Sequence, residues 1–220
     1  IEKCRPDAVY SLGDNIGYGA EPERVVQALI RLQIPSVLGN HELAAKEPGF
    51  LSWFNPSARK SLTMTFDMLS AESLGCIRGW PTHLTAQSFR FVHGFPPDSP
   101  TLYTFQIENR IKRTVLKELP ERICFVGHTH ALEITAYDGN VLLDVSFQEG
   151  LNRLQPDHKH LINIGSVGQP RDGDVRAKYV IWDSAQNTLD IRCVPYDAQA
   201  AAAKIIAASL PELHAWRLLG

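Results

Sequence analysis

The chain has 220 residues, 44% hydrophobic and 21% charged, which supplies one substantial core and sets it apart from the polar composition of disordered chains. Its 22 Lys and Arg against 24 Asp and Glu leave a net charge of −2, so a basic face holding long nucleic acid by counterion release is not expected. No run of about 18 apolar residues occurs, and the Ala-rich stretch 198–210 carries Lys204 and stops at Pro211, so membrane insertion is not expected. Cys4, Cys76, Cys124 and Cys193 are far apart with no C-x-x-C pair, which fits reduced thiols in a cytoplasmic protein and no structural zinc site.

In chain order, 8–12 reads as a short strand ending in Gly13-Asp14, and 21–33 as a helix with Val25, Val26, Leu29, Ile30 and Leu32 at helical spacing. A second apolar run, 35–39, stops at Asn40-His41, giving a βαβ-like start. From 42 to 81 the pattern turns helical, with Asn55 as N-cap, Pro56 at the first helical position and a stripe of Ala58, Leu62, Phe66 and Leu69. The run 89–92 alternates as a strand and ends in His93-Gly94. Helix 106–119 leads to the apolar run 123–126, which ends in Gly127-His128-Thr129-His130. Side chains in extended backbone alternate faces, so His128 and His130 are expected on one face; a polar loop closing a strand is the ordinary alternative. Further strands are expected at 141–147, 161–164, 178–182 and 189–194, with a helical tail. One α/β domain spanning 1–220, two packed mixed sheets flanked by helices and a helical insert at 42–81, is the expected architecture.

Four expected strand ends thus present Asp14, then Asn40 with His41, then His93, then His128 with His130, and ligands of open α/β folds gather outside the carboxyl ends of strands. Taken singly, Asp14 and Asn40 are ordinary turn residues and His93 an ordinary core histidine. Together they form a mixed N/O donor set without thiolates, suited to Mn, Fe, Co, Ni or Zn rather than Ca. Two such ions about 3.5–4 Å apart hold a phosphate and lower the pKa of a water between them, so hydrolysis of a phosphoester is the matching chemistry.

These residues resemble the calcineurin-like metallophosphoesterases. Gly13-Asp14-Asn15 is similar to that family's G-D-x motif, Gly39-Asn40-His41-Glu42 to its G-N-H-[D/E], Val92-His93-Gly94 to its isolated histidine, and Gly127-His128-Thr129-His130 to its G-H-x-H, in the family's order. The stretch Asn163-Ile164-Gly165-Ser166-Val167-Gly168-Gln169-Pro170-Arg171-Asp172-Gly173 resembles a late loop of small prokaryotic members, with Ile164 in place of the usual proline.

The resemblance implies a four-layer α-β-β-α sandwich and two divalent ions drawn from Mn, Fe, Ni or Zn. Asp14 would bridge them, Asn40, His93 and His128 would complete one shell, and His130 would bind the other. His41 would protonate the leaving alkoxide, while Asn40 and Arg171 would meet the substrate phosphate; an ion pair with Asp172 or another acid is the alternative for Arg171. The implied substrates are small phosphodiesters, nucleotides or dinucleoside polyphosphates. The family's opening D-x-H tripeptide is absent from these 220 residues, so a preceding strand–helix unit is expected upstream, with Ile1-Glu2-Lys3 as the tail of its helix.

Two other functions compete. The fold also serves as a non-catalytic interaction scaffold, against which the retained His41 speaks. Protein phosphatases of the fold usually carry two arginines, and only Arg171 has a visible place. Trp53, Phe54 and Trp80 offer ring faces that could roof a site and stack a base, with core packing as their ordinary use. His83, His158, His160 and His214 match no motif and are expected at the surface or in loops.

Overall fold

The computed structural model describes residues 4–220, so the expected helix tail at 1–3 lies outside the described residues. A mixed six-stranded sheet takes the order β1-β2-β3-β7-β4-β5, from β1 (His83–Ala86), β2 (Phe89–Val92), β3 (Ile123–Val126), β4 (Leu132–Tyr137), β5 (Leu142–Asp144) and β7 (Lys159–Ile164). A three-stranded antiparallel sheet orders β6 (Gly150–Arg153), β9 (Thr188–Val194) and β8 (Ala177–Asp183).

The two sheets pack through Phe91, Ile123, Phe125, Ile134 and Ile162 on one side and Leu189 and Ile191 on the other. On the opposite face of the large sheet, Val92, Cys124, Val126 and Leu161 meet Leu116 and Leu119 of the segment around α5 (Asn109–Glu118). Alternate residues of β3 therefore serve two cores, which is why Ile123 to Val126 reads as one unbroken apolar run. The remaining helices are α1 (Pro22–Arg31), α2 (Asn40–Lys46), α3 (Pro56–Asp67), α4 (Ala71–Arg78), α6 (Ala198–Ala207) and α7 (Glu212–Leu219). The layers make an α/β/β/α sandwich. No helix among the described residues is long and apolar enough to cross a membrane.

The 42–81 segment is helical as expected, and the Asn55 carboxamide accepts the Ala58 N–H at 3.0 Å as an N-cap. Several boundaries differ from expectation. The segments 8–12 and 35–39 form a single parallel bridge, Ser11 with Ser36, rather than strands. Pro35 has no N–H to contribute, and the Leu12 carbonyl is taken by the His93 ring at 2.6 Å, so no ladder extends. Helix 106–119 starts at Asn109, after a 3-10 turn at Thr104–Gln106. Strand 141–147 shrinks to Leu142–Asp144, and β1, β4 and β6 were not anticipated.

Two histidines expected at the surface are interior: His160 lies within β7 at 1% exposure and His214 on α7 at 4%. The His214 ring lies 4.7 Å from that of Tyr18 and the His160 ring 6.2 Å from that of His158, and Nδ1 of His160 and both nitrogens of His214 have no hydrogen-bond partner among the described residues.

Candidate metal centre

β2, β3 and β7 run parallel, so their carboxyl ends open on one side, and the loop ends Asp14 and Asn40 arrive there beside them. Gly39 makes that approach possible. A Cβ on it would stand 2.3 Å from Asp14 Oδ1 and 2.4 Å from the Asp14 backbone nitrogen. Glu42, fully buried on α2, ties the two loops by accepting the N–H groups of Asp14 at 2.9 Å, Asn15 at 2.7 Å and Gly39 at 3.0 Å. Burial and the nearby Asp14 push its carboxyl up to about 7, against the pull of those donors.

Asp14, His93 and His128 each offer a ligand atom within 4.8 Å of the others. His93 Nε2 lies 3.3 Å from Asp14 Oδ2, 3.1 Å from His128 Nδ1 and 3.1 Å from the Asn40 carboxamide oxygen. That oxygen faces only acceptors, among them both Asp14 oxygens; the amide turned over would donate to the same four atoms at 3.0–3.3 Å. His130 and His41 stand at the rim, each with Nε2 3.8 Å from Asp14 Oδ2. Burial opposes a charged Asp14, yet His41 and His93 hold its carboxyl well below the usual range. Burial likewise depresses His41, and pushes His128 down to about 3 with help from His93, while Asp14 raises His93.

The far nitrogen of every imidazole is fixed by a backbone carbonyl. His93 Nδ1–H donates to Leu12 at 2.6 Å, His41 Nδ1–H to Ile16 at 2.7 Å, His130 Nδ1–H to Gln169 at 2.8 Å, and His128 Nε2–H to Thr101 at 3.0 Å. Each donation sets the tautomer that turns a lone pair toward Asp14, the usual support of metal-binding histidines. Converging lone pairs, a carboxylate and an inward amide oxygen fit a borderline divalent cation.

The expected shared face of His128 and His130 is corrected in its cause. β3 ends at Val126, and both residues take left-handed backbone, φ 64° and 61°, not extended conformation. Arg171 does not pair with Asp172, whose partner is Lys178 at 2.9 Å; its Nη2 donates to Gln169 Oε1 at 3.0 Å and reaches the Tyr18 hydroxyl at 3.3 Å.

Above the cluster lies a cavity of about 410 Å³ lined by Tyr18, Asn40, Trp53, Phe54, Tyr103, Arg171 and Arg217, among others. Trp53 and Phe54 line this cavity, Phe54 while also packed in the core of Ala44, Ala58 and Leu62, whereas Trp80 takes the ordinary use and packs against the core of α1 and α4. Three lining residues went unread in the sequence. Tyr103 stacks on the His128 ring at 3.8 Å, and Tyr18 meets His41 edge-on at 4.6 Å, its hydroxyl pushed up to about 12 by burial and then by Asp14. Arg217 corrects the expectation of a lone arginine. No local pattern marks any of the three, because they reach the cavity only through the tertiary fold.

Comparison with known proteins agrees with this geometry. The family model for the calcineurin-like phosphoesterase superfamily domain matches residues 1–187, and the chain belongs to that superfamily. It is 32% identical over 214 residues to an uncharacterized protein, MJ0912, of Methanocaldococcus jannaschii, covering 96% of this chain and 85% of that protein. Among solved structures it resembles a metallophosphoesterase from Sphaerobacter thermophilus, with TM-score 0.82 and 31% identity over 98% of this chain and 89% of that one. It shares its fold with the hypothetical protein PH1004 of Pyrococcus horikoshii OT3, with TM-score 0.74 and 16% identity over 95% of this chain and 83% of that one. Fold and donor cluster together support a metal-dependent hydrolase.

Proposed function

We propose that the protein is a binuclear metallophosphoesterase acting on small phosphodiesters, nucleotides or dinucleoside polyphosphates. The observation that carries this reading is the convergence of Asp14, Asn40, His93 and His128 with every imidazole braced by a carbonyl beneath a cavity of small-molecule size. In it, Asp14, Asn40, His93, His128 and His130 would hold the ions. Bound divalent ions of the Mn, Fe, Ni or Zn type supply Lewis-acid polarisation of the phosphoryl group and a water acidic enough to attack near neutral pH.

The chain's own residues supply position and a proton. His41 spends Nδ1–H on Ile16, so Nε2 is the atom that would take up a proton and give it to the leaving group. Asn40 and Arg171 line the cavity that would take the phosphate groups of the substrate. Trp53, Phe54 and Tyr103 give an organic substituent flat faces to rest on. The free cysteines fit a cytoplasmic setting. A second arginine removes one argument against a protein phosphatase, but a cavity of about 410 Å³ beside Trp53 and Phe54 suits a small ester better.

Leaving-group dependence tests the role of His41. With His41→Gln, turnover of an alkyl ester, whose alkoxide needs a proton, is expected to fall about 10²–10⁴-fold, and that of a p-nitrophenyl ester far less. Equal losses on both would remove His41 as the acid.

A further inference from the structure

α7 lies beyond the residues matched by the family model, yet it delivers Arg217 to the cavity. Arg217 Nη1 reaches Gln169 Oε1 at 3.4 Å, the same oxygen that accepts from Arg171 Nη2 at 3.0 Å. Neither guanidinium pairs with a carboxylate among the described residues, where Arg24, Arg90, Arg176 and Arg192 all do. Two like charges are thus held together by one neutral oxygen. Gln169 is 3% exposed, and its Nε2 has no partner, so the amide has an unused donor beside the two cations. The same loop braces His130 at the candidate centre, because the Gln169 carbonyl accepts from His130 Nδ1 at 2.8 Å and the Arg171 N–H donates to the His130 carbonyl at 3.1 Å.

From this juxtaposition we infer that Arg171, Arg217 and Gln169 form an anion subsite next to His130 that holds a second phosphate of the substrate, one beyond the phosphate being cleaved. The inference rests on the proposed phosphoesterase reading and narrows its substrates to esters bearing a phosphoanhydride or another phosphate. Phosphate oxygens match the paired forks of two guanidinium groups and replace the single Gln169 oxygen with several charge-assisted acceptors. Gln169, freed of both arginines, then has an acceptor for Nε2. The aromatic lining leaves room for the organic part of the same molecule.

Calorimetric titration of the full chain with pyrophosphate tests the subsite. In excess chelator, where neither catalysis nor metal contributes, Arg217→Gln is expected to weaken binding about tenfold. Arg176→Gln, whose arginine is already paired with Asp174 and Glu149, is expected to change it less than about twofold. With free Mn²⁺ held constant, pyrophosphate is expected to bind about tenfold or more tighter than orthophosphate, a preference that Arg217→Gln abolishes. No binding in chelator, equal losses in both variants, or no preference for pyrophosphate would overturn the subsite. Arg217-dependent binding by a chain that hydrolyses no ester would sustain it and overturn the catalytic reading instead.

Discussion

Asp14, His128 and His130 hold their side chains on left-handed backbone, with φ of 52°, 64° and 61°. Such conformations cost non-glycine residues roughly 1–3 kcal/mol each and persist where the surroundings over-determine them. At position 128 the usual order of substitutions is therefore expected to invert. His128→Gly unfolds in urea, under chelator, with about 1 kcal/mol more stability than His128→Ala, because only glycine takes this backbone freely. Equal stabilities, or alanine ahead, would show that the turn carries no strain. Gly17 works in the other direction. Its φ is 121°, and a Cβ there would lie 2.1 Å from His41 Nδ1, so Gly17→Ala must move the imidazole or the loop. Turnover is expected to drop about 10²-fold with the circular dichroism spectrum retained; wild-type turnover would detach His41 from the chemistry.

At the scale of elements, the loop between β7 and β8 is anchored from beneath. Lys178, 3% exposed, pairs with Asp172 at 2.9 Å and donates to the Asp174 carbonyl, while Asp172 accepts the Leu132 N–H at 3.2 Å. Removing the buried Lys178 leaves Asp172, 19% exposed, with only the Leu132 and Asp174 N–H groups to offset its charge. Lys178→Met is expected to cost about 1–3 kcal/mol in urea unfolding, and the double variant with Asp172→Asn distinctly less. Additive losses would mean the pair is not coupled.

The elements also show what could be read from sequence. Short apolar runs that stop at a glycine beside Asp, Asn or His announce a site, whether the run forms a strand, as before His93 and His128, or a single bridge, as before Asp14 and Asn40, and this makes Asp14, Asn40, His93, His128 and His130 legible as a group. Helix α3 announced itself through Asn55-Pro56. Strand β4 was hidden because it starts two residues after His130, within what reads as the tail of a motif. Arg217, Tyr18 and Tyr103 stayed hidden because their approach is set by how α7 and two loops pack, which no local spacing encodes.

For the whole molecule, buried neutral imidazoles make stability depend on pH. Burial pushes His160 down to about 4 from 6.5, with Arg122 and His158 adding to it. The unfolded chain takes up a proton below about 6.5 that the folded chain refuses until about 4, so stability is complete above that window and lost as pH falls through it. The loss is on the order of 3 kcal/mol, and His160→Leu is expected to make the fall of the urea midpoint between pH 6.5 and 4 shallower. An unchanged pH profile in that variant would assign the acid sensitivity elsewhere.

Metal dependence is tested by turnover of bis(p-nitrophenyl) phosphate by chelator-stripped protein as Mn²⁺ is restored, beside an Asp14→Ala variant. Activity that is absent in chelator, returns with Mn²⁺ and does not return in Asp14→Ala is the expected result. Turnover that survives chelation, or that Asp14→Ala supports as well as the unmodified chain, would contradict a metal-dependent centre at these residues.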